Sequence, residues 1–189
     1  MRELEDLSGP FNPNLKFDDF SKEFLLKLMN GWQKAWLIQD MAWYDQIKSR
    51  WGAEAADDCQ LKSWITIAEK ANPRYAKIGN IKLNTVIDSL KALQLPLDNT
   101  TGGLFINEFD IKNPNHVIMT VKQCLSLTNM EKSAPERIYP VCHLMEPPLV
   151  EKYLINPKIK VTALKLPPLP PKRRSPGEIA CQWELKLEA

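Results

Sequence analysis

The hydrophobic period of this chain changes near residue 100, and that change limits what it can fold into. Before it, apolar residues recur at steps of three and four; after it, they alternate. Leu25, Met29, Trp32, Trp36, Trp43 and Ile47 align on one helical face, and the spacing predicts a long helix beginning at an Asp18 N-cap and ending near Trp51-Gly52. Ala56, Gln60, Leu61, Trp64, Ile65, Ala68 and Ala71 predict a second helix stopped by Pro73. Leu83, Val86, Ile87, Leu90 and Leu93 predict a third, closed by Pro96.

Beyond the turn residues at 98–103, Phe105, Phe109 and Ile111 share one strand face, Lys112-Asn113-Pro114-Asn115 form a turn, and Val117, Met119 and Val121 share the next face. Pro147 and Pro148 suit the first turn of a short helix carrying Leu149, Val150, Tyr153 and Leu154. A third strand runs through Ile159, Val161 and Ala163. In the fourth, Ile179, Cys181, Trp183, Leu185 and Leu187 oppose a polar row. The expectation is a single α+β domain: an irregular leader (1–17), then N-terminal helices (18–96) packed on one face of a four-stranded antiparallel sheet (103–189).

With 25 Lys and Arg against 23 Asp and Glu, the net charge of +2 points to neither nucleic acid nor an anionic membrane as partner. Short apolar stretches and a start without the basic-then-apolar order of a signal peptide lead to the expectation of a cytoplasmic protein. Cys59, Cys124, Cys142 and Cys181 are dispersed without a CxxC pair and read as free thiols.

Asp40 stands out in the helical half, since the spacing that aligns Trp36 and Trp43 carries its carboxylate into the apolar stripe. Either it bonds an indole N–H or another structural partner, or it is an acid or base beside an aromatic pocket. Tryptophan at helical spacing reads first as core and second as the wall of a ligand site. Cys142 and His143 are adjacent, but sequence neighbours seldom face each other, so they do not make a dyad unaided. Cys124, Cys142 and Cys181 on or near one sheet could converge on a metal with His143; dispersed cysteines rarely do so by chance, and neither metal nor cofactor is expected. Lys172-Arg173-Arg174, within a proline-rich connection, read as a solvated basic run.

The run from Trp36 to Trp43, continued by Arg50-Trp51-Gly52-Ala53-Glu54-Ala55-Ala56 and Trp64, resembles a family of small bacterial and archaeal proteins related to L-2-amino-thiazoline-4-carboxylic acid hydrolase. The resemblance continues through Val121-Lys122-Gln123-Cys124, Tyr139-Pro140-Val141-Cys142, Asn156-Pro157-Lys158-Ile159-Lys160-Val161, Leu166-Pro167-Pro168 and Ile179-Ala180-Cys181-Gln182-Trp183-Glu184. Relatives often carry a further cysteine where this chain has Ala163. The resemblance implies a small-molecule hydrolase that opens a cyclic carbon to nitrogen bond, with Asp40 as acid or base, Cys142 as nucleophile and His143 beside it. Trp36, Trp43, Cys124 and Cys181 would then contact the ligand in a pocket between the tryptophan helix and the sheet. The alternative is a non-catalytic protein that binds or senses a small molecule in that pocket; a homodimer is left open in either case.

Overall fold

The computed structural model describes residues 3–96, 104–175 and 177–188; the turn expected at 98–103, and Pro176 in the proline-rich connection, lie outside the described residues. The chain forms two compact units, residues 1–43 and 44–189.

In the first unit the leader folds back on its own helix. Leu4 N–H donates to Asp19 O at 2.7 Å and Ser21 N–H to Leu4 O at 2.9 Å, which fixes a short bridge between Leu4 and Phe20. Helix α1 (Lys22–Trp51) starts in this unit and continues into the second. Its cap is Ser21, whose Oγ accepts from Phe24 N–H at 3.1 Å, and not Asp18, which falls in a 3-10 turn over Phe17–Asp19. The tryptophans are not core: Trp32, Trp43 and Trp51 are 47%, 64% and 67% exposed. The reason is rotational. The more buried stripe of α1 runs through Gln33, Trp36, Leu37, Asp40, Tyr44 and Ile47, so Trp32 and Trp43 fall one position off it.

The second unit is built around a sheet with one apolar face. Strands β1 (Phe105–Asn113), β2 (His116–Cys124), β3 (Ile159–Lys165) and β4 (Cys181–Leu187) are antiparallel in the order β1-β2-β4-β3. β1 and β2 form the expected hairpin, with Asn113 opposite His116 across Pro114-Asn115. Register places Val117 opposite Leu185, Met119 opposite Trp183 and Val121 opposite Cys181. Five of these six are buried, which makes the inward face of β2 and β4 the floor of the core. The outward face is polar, with Gln182 Nε2 donating to Thr120 Oγ1 at 2.8 Å and His116 Nε2 2.8 Å from a Glu184 carboxylate oxygen.

Helix α2 (Ala53–Ile78) follows Gly52, whose φ of +89° lies in the left-handed region that favours glycine and turns the chain between helices. α2 does not stop at Pro73 but continues five residues further, because Asn72 and Ala76 are buried on its inner side and Asn72 Nδ2 donates to Tyr153 O at 3.3 Å. Helix α3 (Val86–Leu93) is capped by Thr85, whose Oγ1 accepts from Asp88 N–H at 3.1 Å, and buries Val86, Leu90 and Leu93. The sequence pattern misses the segment between β2 and β3 as a continuous helical layer. Helix α4 (Leu125–Ser133), a 3-10 turn (Pro135–Arg137), a π-helix (Tyr139–Met145) and α5 (Glu146–Tyr153) follow one another there. Together with α3 they bury Leu127, Met130, Ile138, Cys142, Val150 and Leu154 in the same cluster as Val117, Trp183 and Leu185. α2 packs behind them on α3, α5 and the π-helix. The architecture is the expected α+β, with helices on an antiparallel sheet; the cover comes as much from between the strands as from before them.

A proline inside a helix removes one backbone hydrogen bond and crowds the preceding turn. Exposed Pro73 should therefore be a net burden on α2, and Pro73→Ala is expected to raise the urea midpoint, with a gain of up to about 3 kcal/mol.

Candidate functional site

Three of the four cysteines reach one place from three different elements. Cys124 ends β2, Cys142 lies in the π-helix and Cys181 opens β4, and all three line a cavity of about 80 Å³ in the second unit. The floor is Met119, Val121 and Trp183; α4 and α5 contribute Leu127, Met130 and Val150. Asn107, Ser126, Glu146 and Tyr153 add polar groups to this apolar lining, and Leu166, Pro167 and Ala180 border it from the connection between β3 and β4.

Local chemistry explains how each thiol is held. Cys124 is the N-cap of α4, with Sγ accepting from Leu127 N–H at 3.3 Å, while Thr128 Oγ1 donates to Cys124 O at 2.9 Å. Cys181 Sγ accepts from the Trp183 indole N–H at 3.2 Å, an uncommon contact between residues two apart on the same strand face. Cys142 precedes Glu146 by four residues, and the π-helix wraps loosely enough to admit Pro140 in its first turn.

Burial is the main influence on all three. It pushes the Cys124 thiol up to about 11 and the Cys181 thiol up to about 12, with the Glu146 carboxylate adding to the rise in each. Cys142 is raised further still, by burial, then by Glu146 and the two neighbouring thiols. Burial thus favours the neutral thiol at all three positions, whereas covalent catalysis at Cys142 would call for a thiolate. Cys59 is exposed and stands apart from the cluster.

His143 is adjacent to Cys142 in sequence but is engaged elsewhere. Its Nε2–H donates to Pro167 O at 2.9 Å and its ring stacks on Tyr139, centroids 5.8 Å apart. Asp40 and Trp36 are half-buried and Trp43 exposed on α1 in the first unit, whereas the cavity is lined by residues of the second alone. Among the described residues no group of three His, Cys, Asp or Glu side chains is placed to hold a metal ion.

The basic run at 172–174 is not uniformly solvated. Lys172 and Arg173 are exposed, but Arg174 turns inward: its Nε donates to Glu131 Oε1 at 2.7 Å, Nη2 to Glu131 Oε2 at 3.4 Å and to Thr128 Oγ1 at 3.2 Å. Both side chains are almost fully buried, 10% and 6% exposed. This pair and the His143–Pro167 bond tie the proline-rich connection down over the cavity.

Glu146, Asn107 and Ser126 are polar lining residues that sequence reasoning passed over. Asn107 had a readable signal, since it occupies an inward position between Phe105 and Phe109. Glu146 had none beyond its spacing from Cys142.

The fold and the site thus define an α+β protein whose helical layer and one-faced sheet enclose a thiol-lined cavity. The chain belongs to DUF6125, a family of unknown function whose sequence profile matches residues 18–187. No curated protein and no solved structure matches it. Among the described residues no helix is long and apolar enough to cross a membrane.

Two outcomes are expected. Arg174→Ala leaves the Glu131 carboxylate buried without its cation and should lower stability by about 3 kcal/mol or more in urea denaturation, most of it recovered in an Arg174→Met, Glu131→Leu double variant. The thiols make stability fall at alkaline pH. Their folded pKa values, about 11 and about 12 for Cys124 and Cys181, lie above the ordinary value of 9.0, so folding favours the protonated form. Their contribution is complete below pH 9 and is lost as pH rises through the folded values. Urea midpoints measured across this range should fall less steeply for a Cys124→Ser, Cys142→Ser, Cys181→Ser variant than for the native chain.

Proposed function

We propose that this protein binds a small molecule, without transforming it, in the cavity between the sheet and the α4 to α5 layer. The supporting observation is the convergence of Cys124, Cys142, Cys181 and Glu146 on one largely apolar cavity bordered by a tied-down connection. Its lining carries polar groups from β1, β2, α4, the π-helix, α5 and β4, the mix of an apolar pocket with a few polar groups that suits a small ligand. At about 80 Å³ the space equals roughly two or three waters, so the ligand, or the part of it held here, has few heavy atoms. Free, neutral thiols suit a reducing compartment.

The hydrolase reading rests on the resemblance to proteins related to L-2-amino-thiazoline-4-carboxylic acid hydrolase. It calls for an activated Cys142, and the surroundings of Cys142 favour the neutral thiol instead, which is why binding is preferred.

Iodoacetamide labelling followed by mass spectrometry separates the two. The expected result at pH 8 is rapid labelling of Cys59 and labelling at least tenfold slower of the three cavity thiols. Compounds of four to ten heavy atoms that raise the thermal midpoint should slow the cavity thiols further. Cys142 reacting as fast as Cys59 would favour the hydrolase, and no compound protecting any cavity thiol would remove the binding reading.

A further inference from the structure

We propose that the exposed face of α1 in the first unit pairs with the same face of a second copy of this chain, the two helices running antiparallel about a two-fold axis at the level of residues 37 and 38. Gly31, Trp32, Ala35, Gln39, Ala42 and Trp43 are all exposed, and steps of one, three and four gather them on one side of the helix, next to its more buried stripe. No charged residue falls among them: Lys22, Glu23, Lys27 and Lys34 lie further round the helix, and Asp40 belongs to the stripe. In and beside this face, Trp32, Trp43, Phe17 and Ile38 are 47%, 64%, 60% and 70% exposed and leave roughly 500 Å² uncovered. Two copies together bring about 1,000 Å², the lower bound of a specific interface, so the pair forms at micromolar concentrations and separates on dilution.

Charge and shape both make a copy of itself the fitting occupant. A two-fold interface sets one patch against the same patch, so charges within it would meet their own kind, and this face has none to repel. The net charge of +2 adds little repulsion between whole chains. Residues 32 and 43 lie equally far from the axis along the helix, so Trp32 of each copy shares a level with Trp43 of the other, and two indole pairs form. Gly31, Ala35 and Ala42 carry at most a methyl group, which lets the backbones approach closely enough for those pairs to touch. No described atom lies within 4 Å of where a Gly31 side chain would begin. Phe17 packs edge-on against Trp32, centroids 5.8 Å apart, and so orders that indole before pairing. A lipid surface suits the face less: helices that lie in a membrane interface set a lysine-rich side against the apolar one, and here Lys27 is paired with Glu23 at 2.7 Å.

The test is analytical ultracentrifugation of the full chain over about 1 to 200 µM. The weight-average mass should rise with concentration from 21.7 kDa towards twice that value and no further, because a two-fold pair is closed. Ala35→Glu places a carboxylate on each side of the axis and should raise the dissociation constant at least tenfold, while glutamate, a good helix former at an exposed position, keeps the far-ultraviolet circular dichroism unchanged. An equimolar mixture of Ala35→Glu with Ala35→Lys should pair again, to within about threefold of the native constant. Spin labels on Lys22→Cys in a Cys59→Ser background report the order of the helices, and should lie roughly 45 Å apart along an antiparallel pair. A chain that stays at 21.7 kDa throughout, or a dimer that Ala35→Glu leaves intact, overturns the proposal. A labelled pair closer than about 25 Å marks parallel helices and overturns it equally. So does a monomer whose tryptophan emission shifts to the blue on vesicles of phosphatidylcholine and phosphatidylglycerol, which assigns the face to lipid. Should Ala35→Glu not fold, the concentration dependence of the native chain and the Lys22 label distance decide between them.

Discussion

Everything in the second unit answers to one requirement: the inward face of β2 and β4 must be covered. Val117, Met119, Val121, Trp183 and Leu185 form a continuous apolar surface at the centre of the sheet, while the reverse side carries two hydrogen-bonded pairs, Gln182 with Thr120 and His116 with Glu184. A sheet polar on one side and apolar on the other is stable only with a second layer. Here α3 arrives from before the sheet, and the helical run from Leu125 to Tyr153 comes from within it. The run must start at the end of β2 and return to the start of β3, two strands away in the order β1-β2-β4-β3. It is therefore stretched across the apolar face in short pieces, α4, the π-helix and α5, in place of one long helix.

This broken path also explains the cavity. Short helices joined by tight turns cannot cover a twisted sheet as evenly as a single straight one, and the gap falls where β2 ends, β4 begins and the π-helix passes over. Cysteine at all three places fits the volume, being small, apolar enough for burial and able to accept a weak hydrogen bond from Leu127 N–H or the Trp183 indole.

The strands were readable because a two-residue period and a Pro-Asn turn leave few alternatives; the hairpin, the final strand and the Pro-Pro helix start all follow from the residues that form them. Failures of reading trace to tertiary contacts that override a local rule. Pro73 does not end α2, because Asn72 and Ala76 hold the continuing turn against its neighbours. Trp32 and Trp43 satisfy the same helical spacing as Trp36, yet the buried stripe passes through Gln33, Trp36 and Tyr44, and spacing alone cannot set which of two adjacent stripes turns inward. The site was partly legible. Cys124, Cys142 and Cys181 were singled out individually, but their meeting depends on the crossover between β2 and β3, a distance of 35 residues from Cys124 to Ile159 that periodicity does not fold.

Arg174 joins these themes, because a cation in a proline-rich segment has no local reason to be buried. Burying it is unfavourable unless an anion and further acceptors are already in place, and Glu131 and Thr128, one turn apart on α4, supply both. The pair thus fixes the connection between β3 and β4 against the helix that follows β2, at the two chain segments whose ends carry Cys181 and Cys124.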